Sequence, residues 1–163
     1  MRFKQQEKEN KEVSSPLADS LKKLLQIEVD KIALVEAAMS YFFIHGNSDY
    51  AEFFKRLHKL CVACKLDLEN HLFVTIAELP EVTIHQIKLD DFSSDLKVFE
   101  LLAAMEDEYV DTLTAIIDIA NNDKNWETFS YLIKILDKID HIGCRAYSAV
   151  KANKDILSLI KCE

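Results

Sequence analysis

Residues that turn or break a chain are scarce here: two glycines and two prolines among 163 residues. With helix formers dominant, that scarcity predicts an all-α chain. Basic charge is also in deficit. Twenty Lys and Arg against 28 Asp and Glu leave a formal charge of -8, which argues against nucleic acid as a main partner. No run of 18 or more apolar residues exists, so no membrane span is expected. The opening stretch MRFKQQEKENKEVSS carries no apolar core of a signal peptide. A cytoplasmic location follows as an expectation, with Cys61, Cys64, Cys144 and Cys162 as reduced thiols. The length suits one domain with a real core.

What the chain does have is four long amphipathic segments. Residues 1–14 are polar and read as a flexible arm. Ser15-Pro16 is a helix start, with Ser15 as cap and Pro16 in the first turn. The first helix should run to about His45, with Leu21, Leu25, Ile32, Met39 and Phe43 on its apolar face, and stop at Gly46-Asn47. Asn47 or Ser48 caps a second helix carrying Phe54, Leu57, Cys61, Leu68, Leu72 and Ile76, ending near Leu79-Pro80. A third begins at Ser93-Ser94 and carries Phe99, Leu102, Tyr109, Leu113, Ile116 and Ala120. The polar turn Asn121 to Lys124 closes it. A fourth is predicted from about Asn125 to Lys151, with Phe129, Leu132, Leu136, Ile139, Gly143, Ala146 and Val150 inward. The domain is thus 15–152, followed by a short tail, 153–163.

Short links join helices one and two, and helices three and four, so each pair is an antiparallel hairpin. The link from about Leu79 to Phe92 is long enough to run the length of a bundle. Two hairpins joined by one long crossover is the ferritin-like connectivity.

The residues then carry a resemblance. The chain resembles a divergent bacterial-type ferritin over roughly residues 17–152. The matching stretches are Met39-Ser40 and the aromatics after it, Tyr50 to Phe54, Leu79-Pro80, Phe92-Ser93-Ser94 leading to Phe99, and Asp123 with Trp126 to Leu132. The resemblance implies a ferritin-like four-helix bundle, a possible short fifth helix, and a homo-oligomer that could be a hollow cage. It also implies a di-iron centre built from a Glu on helix one, Glu-x-x-His on helix two, a Glu on helix three and Gln or Glu on helix four.

Carried onto this chain, those positions fall on Val29, on Val62 and Lys65, on Glu106, and on Ile139 and Ile142. Only Glu106 keeps a ligand. No Glu-x-x-His or Asp-x-x-His occurs anywhere in the chain. Glu106 alone is a weak metal candidate, and no cofactor is expected to be held tightly at the di-iron position. A carboxylate in an apolar core should not stay charged alone. The expectation is that the Lys65 ammonium takes the place of the metals and pairs with Glu106. Glu36, at the position of a family tyrosine, is placed to share it. The non-catalytic light chains of animal ferritins are similar in having a lysine salt bridge there.

Cys61-Val62-Ala63-Cys64 lies mid-helix, without the second ligand pair of a zinc site or the strand of a redox motif. Its cysteines read as small buried or inner-surface residues. His141 and Cys144, one turn apart, offer with Cys61 and Cys64 an alternative soft-metal site. The function expected is a ferritin-like iron-storage or iron-binding subunit without a competent ferroxidase centre, alone or mixed with a catalytic ferritin subunit. The alternative is a ferritin-fold scaffold that no longer handles iron.

Overall fold

The computed structural model describes residues 13–77 and 80–161. The expected arm at 1–14 lies, except for Val13 and Ser14, outside the described residues, as does Cys162. Among the described residues five α-helices follow one another: α1 (Ser15–Ile44), α2 (Ser48–Ile76), α3 (Asp95–Asn122), α4 (Trp126–Asp137) and α5 (Ile142–Lys151).

Each long helix starts where a polar side chain can take an orphan backbone N–H. Ser14 accepts from the Leu17 amide at 3.3 Å, one residue earlier than the predicted Ser15 cap. Asn47, Ser94 and Asn125 do the same for α2, α3 and α4. Such caps contribute about 1 kcal/mol each. Gly46 follows α1 at φ 74°, a left-handed turn that a side chain would strain.

Inward positions repeat in steps of four and three, the seam spacing of packed helices. On α1 the seam is Leu17, Leu21, Leu24, Glu28, Lys31, Val35, Ala38 and Phe42. This corrects the predicted face, for Phe43 is 79% exposed and Ile32 and Met39 are only half-buried. On α3 the seam is Phe99, Leu102, Glu106, Tyr109, Leu113, Ile116 and Ala120. The apolar part divides into two cores. One end is aromatic, with Phe42, Phe53, Phe54 and Phe99 in mutual ring contact. The other is aliphatic, built on Leu17, Leu21, Leu68, Leu72, Leu113 and Leu132.

The crossover does run the length of the bundle. Gln26 on α1 exchanges two hydrogen bonds with the Thr83 backbone, and His85 lies 2.9 Å from Asp30. Further on, Phe92 meets the Tyr41 ring at the aromatic end.

Two expectations change. Helix four is not continuous: residues 138–141 interrupt it, and His141 adopts φ 49°. The tail is neither a fifth α-helix nor a frayed extension. It turns back through a 3-10 turn, Leu157–Leu159, and buries Ile156 and Ile160 in the aromatic core. Arg56 on α2 clamps it, donating to the carbonyls of Leu157 and Ile160 at 3.0 and 3.2 Å. Burial of Ile156 at the end of the chain makes a definite prediction. Ile156→Ala should lower the unfolding free energy by about 2–4 kcal/mol in urea titration. A loss below about 0.5 kcal/mol would mean that the tail is not part of the core.

Candidate functional site

Between the two apolar cores lies one polar layer. The seams place Glu28 and Lys31 of α1, Cys61 and Cys64 of α2, and Glu106 and Tyr109 of α3 at the same level. Glu28 and Glu106 are 4% and 6% exposed, close to the limit of what a bundle interior admits for a carboxyl.

Glu106 is satisfied by backbone. Its Oε2 accepts from the Gly143 amide at 2.8 Å and its Oε1 from the Cys144 amide at 3.2 Å. These are orphan N–H groups in the first turn of α5, where the helix dipole also favours an anion. The interruption of helix four is what presents them to the core. A helix running straight through would have bonded both amides to its own carbonyls. Gly143 permits the approach, because a Cβ there would sit 3.1 Å from Glu106 Oε2 and 3.2 Å from the Leu102 carbonyl. His141, mostly exposed, stands at the break with Nδ1 4.0 Å from Glu106 Oε1, and its side chain makes no capping hydrogen bond.

Glu28 has different partners. Burial pushes its carboxyl up, and the Lys31 charge and the Tyr109 hydroxyl oppose the shift without cancelling it. Tyr109 donates to Glu28, and burial together with that carboxylate drives the phenol far above its ordinary range. For Lys31, burial works against the ammonium. The acidic groups around it (Cys61, Glu28, Glu106 and Cys64) outweigh burial and hold its pKa above the usual lysine value. The positive charge among the buried carboxylates is therefore Lys31.

Several predicted residues are placed elsewhere. Lys65 turns away and lies 2.9 Å from Glu69, one turn along its own helix, so the expected Lys65–Glu106 pair is not formed. Glu36 faces outward and meets His58 at 2.9 Å. Val62 is 39% exposed, and the buried residue of α2 at this level is Cys61 instead. Val29 is buried but flanks the seam that Glu28 occupies. Ile139 and Ile142 are half-buried on either side of the break. Cys144 Sγ points to Asp107 at 3.5 Å. Cys61 is buried and Cys64 is exposed. Among the described residues, no three His, Cys, Asp or Glu side chains are grouped so as to hold a metal ion. The proposed Cys61, Cys64, His141 and Cys144 set is therefore not assembled.

Sequence reasoning missed Glu28, Lys31 and the role of Gly143. A signal was present. Leu17, Leu21, Leu24, Val35, Ala38 and Phe42 fix a seam phase that passes through residues 28 and 31. A glycine on the apolar face of an otherwise glycine-poor helix marks a close approach.

Neither a protein-family model nor a curated protein matches the chain. Solved structures do. An open-pore ferritin from the hyperthermophilic archaeon Archaeoglobus fulgidus superposes with a TM-score of 0.77, over 90% of this chain and 94% of its own, at 12% identity. The fold is that of a ferritin. Chlorobium tepidum ferritin gives 0.72 at 18% identity over 85% of this chain and 83% of its own. A humanized archaeal ferritin gives 0.71 at 14% identity, covering 91% and 93%. Identity this low carries the ferritin fold across and leaves the chemistry to be argued from the residues.

The layer generates two predictions. Lys31→Met should cost roughly 3 kcal/mol of stability, since it leaves buried carboxyls without their cation. Lys65→Met should cost less than about 1 kcal/mol, because it breaks only an i,i+4 pair at the surface. Equal losses in chemical denaturation would contradict this assignment. The second concerns alkaline pH. Burial pushes the Cys61 and Cys144 thiols up to about 12 from an ordinary 9; Lys31 opposes the shift at Cys61 without cancelling it, and Glu106 and Asp107 add to it at Cys144. The folded state keeps those protons while the unfolded chain loses them. Stability should therefore be intact below pH 9 and fall between about pH 9 and 12. Cys61→Ala should flatten that decline relative to its own value at pH 7. An unchanged slope would show that Cys61 titrates alike in both states.

Proposed function

We propose that this chain is a ferritin-like iron-storage subunit without a ferroxidase centre of its own, in which a fixed ion cluster replaces metals at the heart of the bundle. The observation that carries this reading is the position of Lys31. A half-buried ammonium whose field is felt together with those of Glu28 and Glu106 supplies positive charge of the kind that two metal ions would supply in a ferroxidase site. Glu106 is further engaged by two helix-end amides, one at each oxygen. These groups do not fit a di-iron pair. A cation would meet Lys31 at the centre, and thiols near it that are held protonated. No cofactor is held tightly there.

Iron is on this reading cargo, deposited within an assembled particle rather than oxidised in the bundle. The subunit would be cytoplasmic and would form a homo-oligomer, either closing a cage alone or sharing one with a catalytically competent ferritin subunit. No described helix is long and apolar enough to cross a membrane, and the acidic surface does not suit nucleic acid. The second reading, a scaffold that has abandoned iron, is favoured by one observation: no described group of acidic, thiol or imidazole side chains is arranged to hold a metal ion.

Ferrous iron added in air separates the two. Oxidation should proceed no faster than in buffer with a bundle-free control protein. Iron should then co-elute with a large particle during size exclusion. Rapid, saturable oxidation would overturn the absence of a ferroxidase centre. An iron-free particle would overturn storage and leave the scaffold.

A further inference from the structure

Between α4 and α5 the local sequence and the tertiary structure disagree. Lys138, Ile139, Asp140 and His141 include neither glycine nor proline. The apolar pattern Leu132, Ile135, Leu136, Ile139, Ile142 and Ala146 runs through them at the spacing of one continuous helix. Yet the chain leaves the helix there. His141 takes φ 49° and ψ 39°, a left-handed conformation that is costly for a residue with a side chain. Contacts from outside the segment must therefore hold the bend.

Three do so. In an unbroken helix the Gly143 amide would bond the Ile139 carbonyl, and the Cys144 amide the Asp140 carbonyl. Glu106 of α3 takes both amides instead, a side chain inserted into the helical ladder. Arg145 takes Asp140, its guanidinium lying 2.7 Å from Oδ1 and 3.5 Å from the carbonyl that Cys144 would need. The third contact is the tail. α5 ends in a turn closed by the Lys154 amide on the Ala149 carbonyl at 2.8 Å, with Asn153 left-handed. Residues 152–155 alone separate α5 from buried Ile156. So short a link leaves no slack. α5 cannot be redirected at His141 without drawing Ile156 and Ile160 from the aromatic core and off the Arg56 clamp.

We propose that helix four is a switch with two positions, bent and straight, and that Glu106 is its latch. In the bent position the carboxylate holds the α5 amides and the tail is docked. When the carboxylate is drawn off, the amides return to carbonyls of their own helix. Residues 138–141 become helical, and the tail leaves. The apolar slot of Ile156 and Ile160 then opens beside Arg56, at one end of the bundle, in answer to an event in its polar layer. Packed elements move between discrete arrangements of this kind rather than by continuous deformation. The device does not depend on iron storage, and its test needs no iron.

Hydrogen exchange read by mass spectrometry on the full-length protein is the experiment, with circular dichroism for helix content. Glu106→Leu should slow exchange in residues 138–144 by about tenfold or more, because a helical ladder closes there. In the same variant the tail, residues 153–161, should exchange about tenfold faster or more. Helix content should rise by about one turn. Gly143→Ala, whose added Cβ would press on Glu106 Oε2 at 3.1 Å, should move both segments the same way. Leu102→Ala removes packing beside the latch and keeps its carboxylate, so it should quicken exchange in both segments. A loss of packing alone cannot move the two segments in opposite directions. Faster exchange at 138–144 in Glu106→Leu, or an unchanged tail while 138–144 slows, would overturn the inference. Should Glu106→Leu fail to fold, Gly143→Ala decides by the same two criteria.

Discussion

A charge placed inside a helical bundle must be answered where it stands, and the rest of this molecule is arranged around that requirement. Glu28 and Glu106 lie in seam positions where a packed bundle would ordinarily take leucine. Each is answered differently. Glu28 receives the Tyr109 hydroxyl and the field of Lys31. Glu106 receives two backbone amides that exist as free donors only because helix four is broken. The break, the glycine beside it and the left-handed His141 are parts of one solution to one buried carboxylate.

That solution has consequences for packing. The polar layer separates an aromatic core from an aliphatic one, so the bundle buries two apolar clusters. The aromatic end is closed by α5 and by the returning tail, whose Ile156 and Ile160 complete it under the Arg56 clamp. The aliphatic end is tied by His71 stacked on Tyr131 at 3.8 Å and by the Tyr131 hydroxyl on Asp67. Ferritins share this fold with the chain, and a fold supplies a frame without dictating what fills its centre. Here the centre is filled by an ammonium and helix-end amides.

The sequence by itself determined the first three helices and the start of the fourth, the caps of those four to within one residue, and the two hairpins with one long crossover. These follow from local spacing, cap chemistry and loop length, all of which are written along the chain. It also placed Glu106 inside, because the α3 seam is unambiguous from Phe99 to Ala120. The phase of α1 was harder to read. That helix has enough apolar residues on adjoining faces that two stripes can be drawn, and only one of them passes through Glu28 and Lys31. Which lysine serves the core was decided by that phase, a rotation of a fraction of a turn that contacts with α2 and α3 fix. The break at residues 138–141 was also beyond sequence reading, since Ile135, Leu136, Ile139 and Ile142 keep a helical pattern through it. Only the tertiary structure decided it, because the amides released there are stabilised by a carboxylate from another helix, 37 residues earlier in the chain.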